Sequence, residues 1–536
     1  MTRVPLRRVR RAAVTLIAIV GLWLVAGLQH TSASGEQDRG ARRERAAADA
    51  AEQSEGTGRT LAQPIAPPAI DLGVNLRENA PRHDLAARSA GRGLPYEPGV
   101  VLVKLREGIG AGARGEIMRE ARAERAARPR YADFEVLTID PSANPEEVAA
   151  ALARRPDVEY AQASYRVHPS FVPNDPLYSR QWNFPLIGLE QAWDINQGAT
   201  SAAVIAVLDT GVAYRDAILE FTAGGFVDAG RIYPPLGLVS VPFAAAPELG
   251  GSSRFVSPRD FIWDDDLPLD MDGHGTHVSG TVGQLTNNGV GLAGVAFNVK
   301  IMPIKCISTD WDDIFDSPYV GSDSTVAQAI RYAADNGAKV INMSLGRSEG
   351  GPAPAVGEAM RYAVSKGVFI AVAGGNDYED GNPTERLAEQ AAPIDGAIVV
   401  AAVGPDKNRA YYSGVKSYIE IAAPGGNSRL GGSAGAIWQQ TYDPAFTDTY
   451  LLPPSKYGPP RFDVFAYLAY QGTSMATPHV AGLAALMFSQ GITSPAAIES
   501  ALKRFAQDRG AAGRDDEYGF GIIDARDSLR GLGLLK

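Results

Sequence analysis

Four polar residues stand where an apolar run gives way to glycine or another small residue, and each side chain can take part in acyl transfer. Asp209 closes Val204-Ile205-Ala206-Val207-Leu208 and precedes Thr210-Gly211. A carboxylate at the C-terminal lip of a buried strand is poorly solvated and needs a partner; local turn amides would also satisfy it. His274 lies in Asp272-Gly273-His274-Gly275-Thr276-His277-Val278-Ser279-Gly280-Thr281, where small residues permit close packing around a helix start. An oriented imidazole there can exchange a proton near neutral pH. Ser474 lies in Gly472-Thr473-Ser474-Met475-Ala476-Thr477-Pro478-His479, ahead of an apolar, Ala-rich helix. It reads either as a plain helix cap or as a nucleophile whose own backbone N–H helps to stabilise an oxyanion. Asn376 ends Ala371-Val372-Ala373-Gly374-Gly375-Asn376 and is either a turn residue or an amide donor to that oxyanion.

No one of these signals decides the chemistry, but their conjunction and order do. The succession Asp, His, Ser separates this chain from hydrolases ordered Ser, Asp, His or His, Asp, Ser. Ala476 stands where a Gly-x-Ser-x-Gly elbow would need its last glycine, which argues against a lipase or esterase. His277, three residues after His274, raises a zinc pair. The sequence has neither a His-Glu-x-x-His motif nor a pair of cysteines to complete one, so His277 reads as structural.

The elements that must position these residues alternate between apolar strands and small-residue helices from about residue 175 onward. That pattern predicts a parallel sheet covered on both faces. Strands are expected at 203–208, 300–304, 340–343, 368–373 and 398–403, with helices at 274–284, 325–336, 355–365 and 477–489. Ligands bind beyond the carboxyl ends of such strands, where Asp209 and Asn376 stand. A smaller α/β module comes first, with strands at 100–105, 134–139 and 158–163 and helices at 115–127 and 145–155. Glu146 and Glu147 fall in the first turn of the second helix, where the dipole favours negative charge. Pro169, Pro173 and Pro176 mark the joint between the two regions.

Before the module, Arg3, Arg7, Arg8, Arg10 and Arg11 precede an apolar stretch over 12–28 and small residues from Thr31 to Gly35. That is the order of a secretory signal, or of a membrane anchor if it is left uncut. Residues 36–95, rich in Ala, Arg, Glu, Gly and Pro, read as an exposed linker. The formal net charge of -10 gives no footing for nucleic acid and suits solubility or calcium. The single cysteine, Cys306, follows an apolar run and reads as a buried structural thiol, and it precludes an intramolecular disulfide.

The chain resembles the subtilisin-like serine proteases from residue 175 to about 529. Four motifs carry the likeness: Val207-Leu208-Asp209-Thr210-Gly211, the segment from His274 to Thr281, Ile341-Asn342-Met343-Ser344-Leu345-Gly346, and the segment from Gly472 to Pro478. The resemblance implies a three-layer α/β/α fold with a mostly parallel sheet, preceded by an α+β ferredoxin-like propeptide. It implies that Ser474 is the nucleophile, His274 the general base and acid, Asp209 its orienting carboxylate and Asn376 the oxyanion donor. Ser344, Leu345 and Gly346 would pair with substrate as an added strand, and Gly374 and Gly375 would line the pocket. Gly374 replaces the usual alanine, a change the fold should tolerate and that could loosen the pocket wall. Calcium is implied as a structural ion, with Asp175, Glu248 and Asn288 as candidate ligands; the same residues also suit plain turns. Asp264-Asp265-Asp266 reads as a solvated acidic loop.

The expected organisation is therefore a signal peptide at 1–34, a linker at 35–95, an inhibitory propeptide at 96–170 and a catalytic domain at 171–536. The product would be a secreted or extracytoplasmic endopeptidase, a monomer acting on polypeptides. It would be inhibited by its own propeptide until that is removed autocatalytically between 164 and 174. Two insertions, at 221–242 and 424–471, are not interpretable from the pattern. The competing class is a catalytically silent surface binding protein on the same scaffold, which a missing triad residue would have favoured. A dedicated maturation protease with one protein substrate is a further alternative.

Overall fold

The computed structural model describes residues 96–530 apart from 107, 110 and 166–170. The expected signal segment and linker, and most of the expected processing site, lie outside these residues. Described first is a four-stranded antiparallel sheet: β1 (Tyr96–Leu105), β2 (Arg125–Ala127), β3 (Glu135–Thr138) and β4 (Val158–Tyr165), in the order β2-β3-β1-β4. With helices α1 (Ala111–Glu120) after β1 and α2 (Pro145–Leu152) after β3, this is the ferredoxin-like β-α-β-β-α-β succession. Asn144 caps α2 by accepting the amide of Glu146. The helix expected over 115–127 is corrected by one strand: it stops at Glu120, Arg122 takes φ 50°, and Arg125–Ala127 join β3. Pairing with Val136, Leu137 and Thr138 overrides a local composition that favours helix.

The second region is built on a seven-stranded parallel sheet: β5 (Val204–Asp209), β10 (Arg259–Asp260), β11 (Lys300–Lys305), β12 (Val340–Met343), β13 (Phe369–Ala373), β14 (Ala397–Val403) and β15 (Ile421–Pro424). Their order is β10-β11-β5-β12-β13-β14-β15, with every pair parallel. The central strands are buried along their whole length, as a sheet packed on both faces requires. Between and beyond them run α3 (Leu189–Ile195), α4 (His274–Gly283), α5 (Asp323–Asp335), α6 (Pro354–Ser365), α7 (Arg386–Ala391) and α8 (Thr473–Ser489). The five strands expected from the sequence are present; β10 and β15, at the edges, were not foreseen.

The two uninterpreted segments are antiparallel ribbons. β6 (Ala217–Ala223) pairs with β9 (Gly237–Phe243), and β7 (Phe226–Asp228) with β8 (Arg231–Tyr233) between them. β16 (Ile437–Tyr442) pairs with β17 (Phe465–Tyr470), which leads straight into α8. Together they share a second core with Trp311, Phe315 and Phe462, apart from the core of the large sheet. Among the described residues, no helix is long and apolar enough to cross a membrane.

Candidate active site

Asp209 ends β5 with no exposed surface, its register set by Lys305 of β11 alongside. The Cys306 amide donates to the Asp209 carbonyl at 3.0 Å; its thiol is buried, as expected, and burial raises its pKa. α4 approaches this strand end closely because Gly275 has no side chain: a Cβ there would lie 3.0 Å from that of Asp209. The result is a 2.7 Å hydrogen bond between His274 Nδ1 and Asp209 Oδ1. A carboxylate only accepts, so Nδ1 carries the proton, and in the neutral ring Nε2 keeps its lone pair. Burial opposes a charged imidazole here. The Asp209 carboxylate and its hydrogen bond outweigh that, with Asp272 and Asp270 adding to the field, and His274 is raised to about 9.

The loop that delivers His274 is organised by a residue not foreseen from the sequence. Buried Asp270 accepts from Thr210 Oγ1 (2.9 Å) and the amides of Asp272 and Gly273 (both 3.0 Å) through Oδ1. Through Oδ2 it accepts from the amide (2.9 Å) and hydroxyl (2.6 Å) of Thr276. Thr210 Oγ1 in turn accepts the Gly275 amide at 3.0 Å, tying the end of β5 to the start of α4. Asp272 Oδ1 accepts the His274 amide, and burial beside Asp270 pushes Asp272 up to about 7. An acidic residue four positions before a helix-opening histidine was the available signal.

α8 begins at Thr473, four residues earlier than expected, so Ser474 lies within its first turn rather than before it. The cause can be read at Pro478, which has no N–H to offer the carbonyl of Ser474 one turn back. That carbonyl is satisfied from outside the helix, by Ser344 Oγ at 2.7 Å. Ser344 Oγ also accepts from Asn342 Nδ2 at 2.9 Å, and Ser474 Oγ donates to the Ser344 carbonyl at 3.2 Å. Asn376, just past β13, accepts the amide and hydroxyl of Thr473 through Oδ1, at 2.8 and 3.0 Å. Because an amide N–H must meet an acceptor, this fixes the side chain with Nδ2 pointing away from Thr473. Gly472 lies against Asn376 at φ 154°, a backbone state that favours glycine. Asp209, His274, Ser474 and Asn376 thus come from β5, α4, α8 and the end of β13.

His277 and His479 are buried neutral imidazoles. His277 Nε2 donates to the Ile437 carbonyl and its ring stacks on Tyr470, while burial lowers it to about 3. His479 donates to Met475 and is lowered to about 4 by burial. Gly374 does not loosen the wall: a Cβ there would come within 2.7 Å of Ile419 Cδ1 and 2.9 Å of the Val400 carbonyl. Only glycine admits that neighbour.

The three candidate calcium ligands are used differently. Asp175 holds the amides of Asn287 (2.7 Å) and Asn288 (3.1 Å), and Asn288 Oδ1 accepts from Val290 at 2.9 Å, so these two clasp a loop. Glu248 is buried and accepts from Leu292, Gln284 and Tyr467. Beside it, Gln284 Oε1 is buried with no partner. The unpaired Gln284 oxygen beside a buried carboxylate is the feature that fits a hard cation. The carboxylates of Glu248 and Asp175 are already engaged by protein donors, and no group of three or more His, Cys, Asp or Glu that could hold a metal occurs among the described residues. Asp264 and Asp266 pair with Arg259 on an exposed loop.

Residues 200–521 match the model of the subtilase family of peptidases, and residues 84–164 match the fervidolysin N-terminal prodomain. The chain is similar to the thermophilic serine proteinase of Bacillus sp. (strain AK1), with 30% identity over 431 residues, 79% of this chain and 86% of the relative. It is 32% identical to thermitase of Thermoactinomyces vulgaris over 334 residues, 62% of this chain and 91% of that one. Among solved structures, a protease of Pseudoalteromonas arctica PAMC 21717 aligns with TM-score 0.50 and 28% identity. That alignment covers 67% of this chain and 99% of the other.

Proposed function

This chain belongs to the subtilase family of serine endopeptidases, and we propose that it cleaves polypeptides through Ser474, His274 and Asp209 after removing its own N-terminal module. The observation that carries the reading is the 2.7 Å bond from His274 Nδ1 to Asp209, which leaves Nε2 free to act as a base. Rotation about its Cα–Cβ bond turns Ser474 Oγ from the Ser344 carbonyl towards that nitrogen; such bonds are often loose without substrate. The hydroxyl then attacks the peptide carbonyl carbon, and its proton passes to Nε2. Asp209 holds the imidazolium so formed, and Asn376 Nδ2 donates to the oxyanion. Collapse expels the amine, which takes the proton from Nε2, and leaves an ester on Ser474. Water, deprotonated by the same nitrogen, hydrolyses the ester and restores the hydroxyl.

Ser344, Leu345 and Gly346 continue β12 past the sheet and would accept an extended substrate as a further strand, with Gly374 and Gly375 opposite. The proposed organisation keeps residues 1–34 as a signal, 35–95 as linker, 96–170 as propeptide and 171–536 as the catalytic domain. Secretion follows the extracellular proteases to which the chain is similar, such as that of Xanthomonas campestris. A monomer is proposed. Calcium, when bound, would neutralise buried charge at Glu248 with Gln284 as neighbour, and it takes no part in the chemical steps.

The test is the intact mass of the expressed chain beside Ser474→Ala, both purified with calcium. Loss of the N-terminal module by cleavage between 164 and 174 in the first chain only is expected. If both chains stay whole, fluorophosphonate labelling after trimming with an added protease distinguishes maturation by another enzyme from an idle triad.

A further inference from the structure

Glu385 is a buried carboxylate that the mechanism above does not use, and it lies against two of the glycines proposed to border the substrate. In the extended stretch after β12, residues two apart face the same side. Ser344 turns its hydroxyl to the Ser474 carbonyl, so the missing side chain of Gly346 would point to that side as well. What a Cβ on Gly346 would meet is the carboxyl group of Glu385. On the opposite wall, a Cβ on Gly375, next to Asn376, would lie 3.3 Å from Glu385 Cβ. The side chain of Glu385 therefore fills the floor between the two backbone segments that flank Ser474.

Its hydrogen bonds are one-sided. Oε1 accepts the amides of Arg347 (2.6 Å) and Leu387 (3.2 Å), whereas Oε2 meets no donor among the described residues. The nearby cations are committed elsewhere. The Arg347 guanidinium forks onto Asp323, and Arg386 binds Glu389 and the Gly350 carbonyl. Asp377 adds a second negative charge, and burial pushes Glu385 up to about 7. A carboxylate only 6% exposed, with one oxygen that meets no protein donor, is placed to accept a donor from a bound side chain that displaces water from it.

We propose that Glu385 sets the specificity of the enzyme on the acyl side of the cleaved bond, selecting lysine or arginine there. The inference rests on the triad reading, because it places the scissile carbonyl between Ser474 and Asn376. The space that these two glycines leave is taken by Glu385, so a long side chain entering between the segments would meet its carboxylate, and a cationic tip would give Oε2 a donor. An apolar side chain would leave that oxygen desolvated and unpaired, and a site built around a hydrogen bond discriminates strongly against a ligand that cannot form it.

The experiment profiles hydrolysis of a peptide library varied only at that position, using the full chain as expressed, beside Glu385→Gln. Wild type should favour lysine and arginine over leucine and phenylalanine by at least tenfold in kcat/KM, and the variant should lose at least tenfold of that ratio. A wild type that prefers apolar residues, or a variant whose ratio is unchanged, overturns the proposal. Fluorescence titration with p-aminobenzamidine, an aromatic cation, reads the pocket without any chemistry. Binding should weaken at least tenfold in Glu385→Gln, and absence of binding to wild type also overturns the assignment. If the probe binds through Glu385 while fluorophosphonate fails to label Ser474, the triad reading falls and the pocket stands.

Discussion

The module at 96–165 and the large-sheet region differ in one respect: only the large-sheet region has a wholly buried ion pair among the described residues. Nine buried hydrophobic residues make the core of the module, and its ion pairs sit at the rim: Arg155 with Glu116, Glu120 and Asp157, Lys104 with Asp133 and Glu159, and Arg114 with Glu135. In the sheet region, Lys305 and Asp312 meet at 2.8 Å with both side chains wholly buried. Trp263 Nε1 and the amide and hydroxyl of Thr309 complete the bonds of Asp312. Burial disfavours the charged lysine, and Asp312 and Asp260 more than offset this, so its pKa is raised. In the Asp209–His274 pair, one strand away, Asp209 is wholly buried and His274 is partly exposed. Pairs in water are replaceable, whereas a pair in the interior holds its surroundings hostage: remove one member and the other is stranded.

The comparison is broken most sharply at Asp209. Asp209→Asn should preserve the fold and lower kcat by about 10⁴, since an amide no longer fixes the imidazole tautomer; circular dichroism beside peptide hydrolysis would check both halves. Next comes Lys305→Met, which leaves Asp312 buried without a cation and should cost about 3–5 kcal/mol in denaturant unfolding. A loss near zero would show that Asp312 is not stranded without Lys305. Titration sharpens the contrast further. Catalysis needs neutral His274, so kcat/KM should climb with pH and level off above about 9. The stabilising contribution of the same pair has the opposite sign: because the folded pKa is raised, it is complete below the unfolded value of about 6.5 and fades as pH rises through about 9. Thermal midpoints across that window, in wild type and Asp209→Asn, would reveal it. Smallest of all, Lys104→Ala on the rim of the module should leave the thermal midpoint unchanged at physiological salt.

Much of this architecture was legible because strand and helix ends carry strong local signals. Each central strand is an apolar run stopped by a polar residue or a glycine; Asp209 is one such stop, and Asn376 stands just past another. The edge strands escaped notice for physical reasons: β10 has two residues, and β15 reads Ile-Ala-Ala-Pro, too short to show a period. Within β9, the alternation of Val239, Val241 and Phe243 with exposed or half-buried neighbours was a usable sign of a ribbon. Asp270 carried only the weak signal of its spacing from His274, and Glu385 carried none, since their roles depend on donors brought near by folding: Thr210 for the first, Arg347 for the second. The early start of α8 was hidden as well, because what compensates for Pro478 is a hydroxyl 130 residues away.

The order of the large sheet also governs how the molecule must be assembled. Val204 pairs with Lys300 and Ile205 with Val340, and no neighbouring strands in that sheet can be closed by a tight turn. The nucleus has to gather segments far apart along the chain before any of them is rewarded, which makes for slow folding. The N-terminal module closes all its pairings within residues 96–165 and emerges first during synthesis. If the early-folding segment is removed as proposed, the remaining enzyme would be guarded by how rarely it opens rather than by how readily it returns.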